Sequence, residues 1–457
     1  MGNVKSIALS PSFKPIAIFF YSYCVVISFK LYKNMLQAKI FLTFIAFSMK
    51  VFLKFLELFK VYTLFIKFLI FITPILASLA ALSSSAVFII YLLSFSYSLV
   101  RIDEIFSSFK KNKLLVLSLL AFLSFCFLSA LYSLNYKSTL LESLKVSATI
   151  LCGFILLFAF RSKLSNTKLF LLGYLVALVF CYMEFIFDGM IITNINHYLL
   201  NKTIYFDPSY LNRGMTFIAI AVWVAIIPLI QNNRKISSYC LLLLSFVIIF
   251  IYTSESAKLG IIAGIVTYIS AKIFKHTFAS IFQVGIVGVY IFIPITLCCL
   301  IYNTHVQTLF QHIPWSFEHR IYIWQNVLDL ISLRPLTGYG FNAARIISEL
   351  NLSSMMIGST SISLLPLHPH NGVIQILLEL GIIGLVLNLT VWLSIIRTVS
   401  LTSSIGEDFK PFIYAILATY ITISQSSFNI FMSWWLCLIF IIVFNFLILS
   451  RVEDNKE

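Results

Sequence analysis

The chain is poor in charge. Only 11% of its 457 residues are Asp, Glu, Lys or Arg, and the 17 acids are outnumbered by 32 lysines and arginines. A soluble domain carries about a quarter charged residues, so a water-exposed globule of this length is excluded. Glycine and proline are sparse, at 16 and 11. Neither a low-complexity linker nor an internal repeat is evident. The eight cysteines (Cys24, Cys126, Cys152, Cys181, Cys240, Cys298, Cys299 and Cys437) lie in apolar runs without CxxC spacing. They read as small core residues and do not indicate a disulfide framework or a metal cluster. No Walker-type phosphate loop occurs.

What is present is apolar. Hydrophobic residues make up 60% of the chain and aromatics 16%, with a mean hydropathy of +0.99. Runs able to cross about 30 Å of hydrocarbon number twelve: 61–81, 84–100, 114–133, 145–160, 169–187, 214–231, 236–252, 258–274, 278–302, 372–396, 411–427 and 431–450. The expected fold is an all-α polytopic membrane protein, with a large helical loop before the tenth span. The formal charge of +15 would suggest nucleic acid in a soluble domain. Here the cations sit in short gaps between apolar runs: Arg101 to Lys113, Arg161 to Lys168, Arg234 and Lys235, Lys272 and Lys275, Arg397 and Lys410, and Arg451. This is the positive-inside pattern. It places those gaps on the cytoplasmic side and two long segments, 188–213 and 303–371, on the other.

The domain reading is an N-terminal extension 1–60, spans 61–302, a loop subdomain 303–371, spans 372–450 and a tail 451–457. Lys39, Lys50, Lys54 and Glu57 share one helical face, so 38–60 reads as a basic amphipathic helix on the inner surface. The run 15–29 is followed by no small-residue cleavage pattern, which argues against a removed signal peptide.

The polar chemistry concentrates in 303–371, which holds His305, His312, His319, His368 and His370 with Arg320, Arg334 and Arg345. In "EHRIYIWQNVLDLIS", Trp324, Val327, Leu328 and Ile331 recur at i, i+3, i+4 and i+7, an amphipathic helix that Pro335 ends. Gly338 and Gly340 in "RPLTGYGF" suit a tight turn or a close backbone approach. Pro366 and Pro369 delay the next helix to His370 or Asn371. His370 thus sits at a helix N-terminus, where the dipole favours the neutral imidazole that can act as a base. Gly381 and Gly384 share a face deeper in that helix, where glycines let helices pack closely. Glu379, inside the same span, must meet a partner. In the other outward segment, Arg213 stands in "NRG" at the mouth of a span, on the side where the charge rule disfavours a cation. A snorkelling anchor and a functional arginine are both consistent with it. His305, His312 and His319 recur every seven residues, but Pro314 interrupts a common helix, and no zinc-site spacing occurs.

Together these features resemble the O-antigen ligase family, within the wider group that includes O-antigen polymerases and protein O-oligosaccharyltransferases. The family signature is a histidine and a polar residue, nine residues, a glycine, and a small residue three further on. Here it reads His370, Asn371, Gly381 and Gly384. "NRG" at 212–214, "HRIYIW" at 319–324, "RPLTGYGF" and "QSSFN" before "WW" also match in order, and the resemblance spans roughly 60–450. It implies a multi-pass bacterial inner-membrane enzyme that works on the periplasmic face without metal or cofactor. The implied reaction moves a glycan from undecaprenyl-pyrophosphate to the lipid A-core in lipopolysaccharide biosynthesis. Its partners would be the lipid-linked glycan, the lipid A-core acceptor and membrane lipids, with no nucleic acid.

By the same resemblance, Arg213 and Arg320 bind the diphosphate and His370 takes the acceptor proton. Asn371, His368, Arg334, Gly338, Gly340, Gly381 and Gly384 stand in supporting or substrate-contact positions. Lys258 and Arg345 are weaker candidates for glycan or phosphate contact. The rival readings are an O-antigen polymerase using the same donor and, from another class, a polysaccharide flippase. Few charges lie at depth, chiefly Lys67, Glu184 and Glu379, which speaks against transport.

Overall fold

In a computed structural model of the chain, the described residues are 61–79, 81–95, 109–159, 168–200, 205–302, 315–350, 354–357, 360–363, 365 and 367–450. The expected amphipathic helix at 38–60, the run 15–29, the tail 451–457, His305, His312, Arg101 and Arg161 lie outside them.

Helices dominate. They are α1 (Val61–Leu79), α2 (Ser84–Phe95), α3 (Lys113–Leu128), α4 (Tyr136–Ala159), α5 (Lys168–Ile186), α6 (Met190–Leu200), α7 (Asn212–Ala225) and α8 (Ile227–Gln231). The chain continues through α9 (Lys235–Ile251), α10 (Glu255–Phe274), α11 (Phe278–Ile301), α12 (Trp315–Leu333), α13 (Ala343–Glu349), α14 (Gly372–Leu401), α15 (Lys410–Ser424) and α16 (Ser433–Ser450). Between α13 and α14 an antiparallel hairpin pairs β1 (Ser354–Ile357) with β2 (Thr360–Ser363), Ser354 opposite Ser363. The loop subdomain is therefore not wholly helical as expected. "SMMI" and "TSIS" alternate too briefly for their period to separate them from a loop.

Among the described residues, each expected apolar run is helical over most of its length. By length and composition, seven helical stretches among the described residues could cross a membrane, and two shorter apolar ones join them. That is fewer than the twelve crossings expected, because some runs form helices too short for the criterion and the runs 258–274 and 278–302 fall in one continuous stretch, Glu255–Ile301. The α4 helix begins earlier than its apolar run, at Tyr136, so its polar first turns extend beyond the hydrophobic stretch.

The α7 helix is the axis of the bundle. Its residues from Gly214 to Ala225 are all buried, and it packs against α1, α5, α9, α10, α15 and α16. A helix apolar all round belongs in such a position. The two core clusters meet around α14 and α15, one reaching to α11 and α12.

Candidate functional site

The site is built where α14 begins. Asn371 is extended and caps the helix: its side-chain oxygen accepts from the Ile374 N–H at 3.0 Å. Its Nδ2 donates to the Gln425 carbonyl at 3.1 Å. The helix thus starts at Gly372, one or two residues later than the prolines alone suggest.

His370 precedes the cap in a left-handed conformation, φ 54°, uncommon for a residue with a side chain. Three contacts fix this turn. The His370 N–H donates to His368 Nδ1 at 3.2 Å. His370 Nδ1 lies 2.8 Å from the Ser427 carbonyl oxygen. Trp324 of α12 donates its indole N–H to the Pro369 carbonyl at 2.9 Å, so the amphipathic helix holds the turn from the other side.

The Ser427 contact assigns the tautomer. A carbonyl can only accept, so Nδ1 carries the proton and Nε2 keeps its lone pair. Burial pushes the His370 imidazole below its usual proton affinity, and the charges of Arg320 and His319 push the same way, opposed by the Ser427 hydrogen bond. His368 is pushed further, to about 3, by burial first and then by His370, Arg320 and Arg213. Burial, ahead of any neighbouring charge, is the main cause of this lowering at His370. The two rings stand edge to face, 4.2 Å between centroids.

The arginines come from distant parts of the chain. Arg320 is half-buried on α12, and burial lowers its proton affinity. Arg213 is exposed in the first turn of α7. The "NRG" sequence fits that place: a Cβ on Gly214 would stand 1.8 Å from the Ser78 carbonyl oxygen. Asn212 accepts from the Thr253 hydroxyl at 3.1 Å. Arg213, Arg320, His319, His368 and His370 therefore share one electrostatic neighbourhood at one end of the bundle.

Gly381 does something other than expected. At Gly381 α14 breaks, with φ 63° and ψ −164°, a region essentially reserved for glycine. The break frees backbone groups that the hydrocarbon core cannot satisfy, and the "RPLTGYGF" turn fills it. The Tyr339 and Gly340 N–H groups donate to the Leu378 and Glu379 carbonyls at 3.0 and 2.9 Å. The Ile382 and Ile383 N–H groups donate to the Pro335 and Leu336 carbonyls at 2.9 and 3.2 Å. Gly338 and Gly340, both at positive φ, permit the approach. A Cβ on Gly338 would lie 2.6 Å from Glu379 backbone, and one on Gly381 would lie 2.3 Å from Leu336 backbone. Close helix–helix packing was expected at Gly381, but a loop occupies the place. At Gly384 a Cβ would meet Leu380 of its own helix, at 2.1 Å.

Glu379 completes this plug. Its carboxylate accepts from the Asn342 N–H at 3.0 Å and from the Gln375 amide at 3.1 Å. Arg334 and Arg345 take up structural contacts: the Arg334 guanidinium lies 4.9 Å over the Tyr339 ring, and Arg345 pairs with Glu349 at 2.7 Å. Lys258 pairs with Glu255 at 2.8 Å. Sequence reasoning gave no role to Gln425 or Ser427, which hold the His370 turn; their one signal was the polar "QSSFN" run before the last span. Among the described residues no three His, Cys, Asp or Glu side chains converge as a possible metal-ligand set.

These features define a multi-pass helical membrane protein with a half-buried histidine pair and two arginines at one end of its bundle. Residues 240–389 match the sequence model of the family described as O-Antigen ligase, so this segment is similar to that family. The match takes in Arg320, His370, Asn371, Gly381 and Gly384. The chain is also 27% identical to the Rickettsia prowazekii (strain Madrid E) protein named "Putative polysaccharide ligase RP358", over 73% of this chain and 79% of that one. It is 28% identical to "Putative polysaccharide ligase" of Rickettsia felis, over 69% and 76%.

Proposed function

We propose that the chain is a glycan ligase that moves a polysaccharide from a polyprenyl-pyrophosphate carrier to a hydroxyl of a lipid A-core acceptor at the periplasmic face. The observation that carries this reading is the assigned tautomer of His370. Its Nδ1 is committed to Ser427, and its Nε2 is a neutral base in the field of Arg320, beside His368, which feels both Arg320 and Arg213.

In this reading the acceptor O–H gives its proton to His370 Nε2 as its oxygen attacks the anomeric carbon. The bond from that carbon to the pyrophosphate oxygen breaks, and the polyprenyl pyrophosphate leaves with the electron pair. Arg213 and Arg320 hold the diphosphate through guanidinium forks that match its oxygens. The charge that builds on His370 is offset by the charge that builds on the leaving group. The donor carries its own activation, so a nucleotide site has no part in the step, and the reading also omits a metal. With the 188–213 and 303–371 segments outside, all three side chains would lie on the face where such a donor is presented.

The test is the surface lipopolysaccharide of a deletion strain complemented with wild type, His370→Ala, Arg213→Ala or Arg320→Ala, with the carrier-linked pool followed in parallel. Long chains building up on the carrier in all three variants, at normal membrane levels, is the result expected of a ligase. Single-repeat lipopolysaccharide in their place would identify a polymerase, and full rescue by His370→Ala would remove the base from the scheme.

A further inference from the structure

A polar cavity lies at the other end of the bundle from His370. It has a volume of about 350 Å³ and is bounded by the end of α10, the turn 275–277, the end of α14 at Ser400 and the start of α15. The α14 helix of 30 residues separates it from His370, so it is not part of the site described above.

Its charged lining is Lys272, Lys275, His276, Lys410, Glu407 and Asp408. Lys410 and Glu407 satisfy each other at 2.6 Å, and Lys410 also donates to the Ser400 carbonyl at 2.8 Å. Lys272 and Lys275 form no ion pair among the described residues. The Lys272 ammonium instead sits 5.8 Å from the centre of the Tyr268 ring. One carboxylate, Asp408, thus faces two ammonium groups and an exposed imidazole. That leaves a cavity with uncompensated positive charge and several donors, suited to a phosphate group.

The surroundings favour a phosphate carried on a lipid. Helices α10 and α11 have 20 and 24 residues, enough for each to cross about 30 Å of hydrocarbon. The turn between them then lies at the water–lipid boundary. Ile273, Phe274, Ile281 and Val284, on either side of that turn, are exposed. A free phosphate would use only the charged cavity; a phospholipid would use the cavity for its headgroup and these side chains for its acyl chains. Basic pockets between spanning helices on the cytoplasmic side are a recurrent form of anionic headgroup site. We infer that this cavity binds the headgroup phosphate of an anionic membrane phospholipid, with Lys272 and Lys275 as its cationic contacts.

The experiment compares wild type, Lys272→Gln, the Lys272→Gln/Lys275→Gln pair and, as control, Lys235→Gln, an exposed lysine that does not line the cavity. Each full-length protein, checked for monodispersity, is purified in mild detergent and equilibrated with mixed micelles of phosphatidylglycerol and phosphatidylcholine, and its bound lipid is measured by native mass spectrometry. Expected is a phosphatidylglycerol preference in wild type and Lys235→Gln, weakened in Lys272→Gln and cut roughly tenfold in the pair. Equal preference in all four proteins would overturn the site. Loss of the lipid on adding millimolar inorganic phosphate at constant ionic strength would overturn the lipid as the occupant and leave a soluble phosphate in its place.

Discussion

His370 Nδ1 and the Ser427 carbonyl oxygen are 2.8 Å apart across 57 residues of sequence, and that contact decides which nitrogen of the imidazole is available as a base. Without it either tautomer could form. With it, Nε2 is the acceptor, in the way a buried carboxylate or carbonyl orients many catalytic histidines.

Substituting His370 follows directly. His370→Ala should remove the proton acceptor and lower ligation by the 10²–10⁴-fold range typical of a general base. His370→Gln should do little better, since its amide can meet the Ser427 carbonyl but offers no basic nitrogen. Initial rates on purified protein with a carrier-linked glycan give the answer, and activity within a few-fold of wild type in either variant would sink the assignment.

The pH profile tests the environment of the pair. Burial and neighbouring positive charge hold both histidines below their usual proton affinity. The base is active when unprotonated, so the rate should be level near pH 7 and fall only as pH drops through the folded-state value, below about 6.5. Stability carries the same sign. The unfolded chain binds protons on these residues that the folded one does not, so stability is full above the unfolded value and declines as pH falls toward about 3, the folded value of His368. Melting temperature measured across that window should drop with acidity in wild type, and less in His368→Asn.

The apolar runs, the amphipathic α12 and, to within two residues, the start of α14 were legible, because hydrophobic period and proline placement are local signals. The convergence of Arg213 with Arg320 and the histidine pair was suggested by shared topological side and by family resemblance; neither could supply contacts. The plug at Gly381 was not legible at all. A glycine that lets two helices touch and one that lets a loop enter a broken helix look alike in sequence, and only the pairing of residues 335–340 with 378–383 separates them. Gln425 and Ser427 were hidden for a related reason: they act through carbonyl groups and one amide, and backbone acceptors have no residue signature.

That plug makes a stability prediction. Gly381→Ala places a Cβ against the Leu336 backbone and forces φ 63° on a residue that resists it. Gly338→Ala does the same against Glu379. Strain alone should cost about 1–3 kcal/mol at each position, and the clash with backbone adds to it. Gly285→Ala, on α11 where an added Cβ meets nothing within 4 Å, is the control that should keep or slightly raise stability. Thermal unfolding in detergent ranks the three, and equal melting temperatures would mean that the loop does not hold the break.

The arginines separate substrate contact from structure. Arg213 and Arg320 share the histidines' electrostatic neighbourhood, so replacing either with lysine keeps charge and removes the fork. Each should raise KM for the carrier-linked donor about tenfold or more, with little change in melting temperature. Arg334 presents the opposite case. Its guanidinium is spent on the Tyr339 ring, a contact worth about 0.5–1 kcal/mol at an exposed site, and Tyr339 in turn donates its hydroxyl to the Leu330 carbonyl at 3.0 Å. Arg334→Ala should therefore lower stability slightly and leave KM unchanged. A KM effect confined to Arg334 would move the diphosphate away from the histidine pair and toward the plugged break in α14.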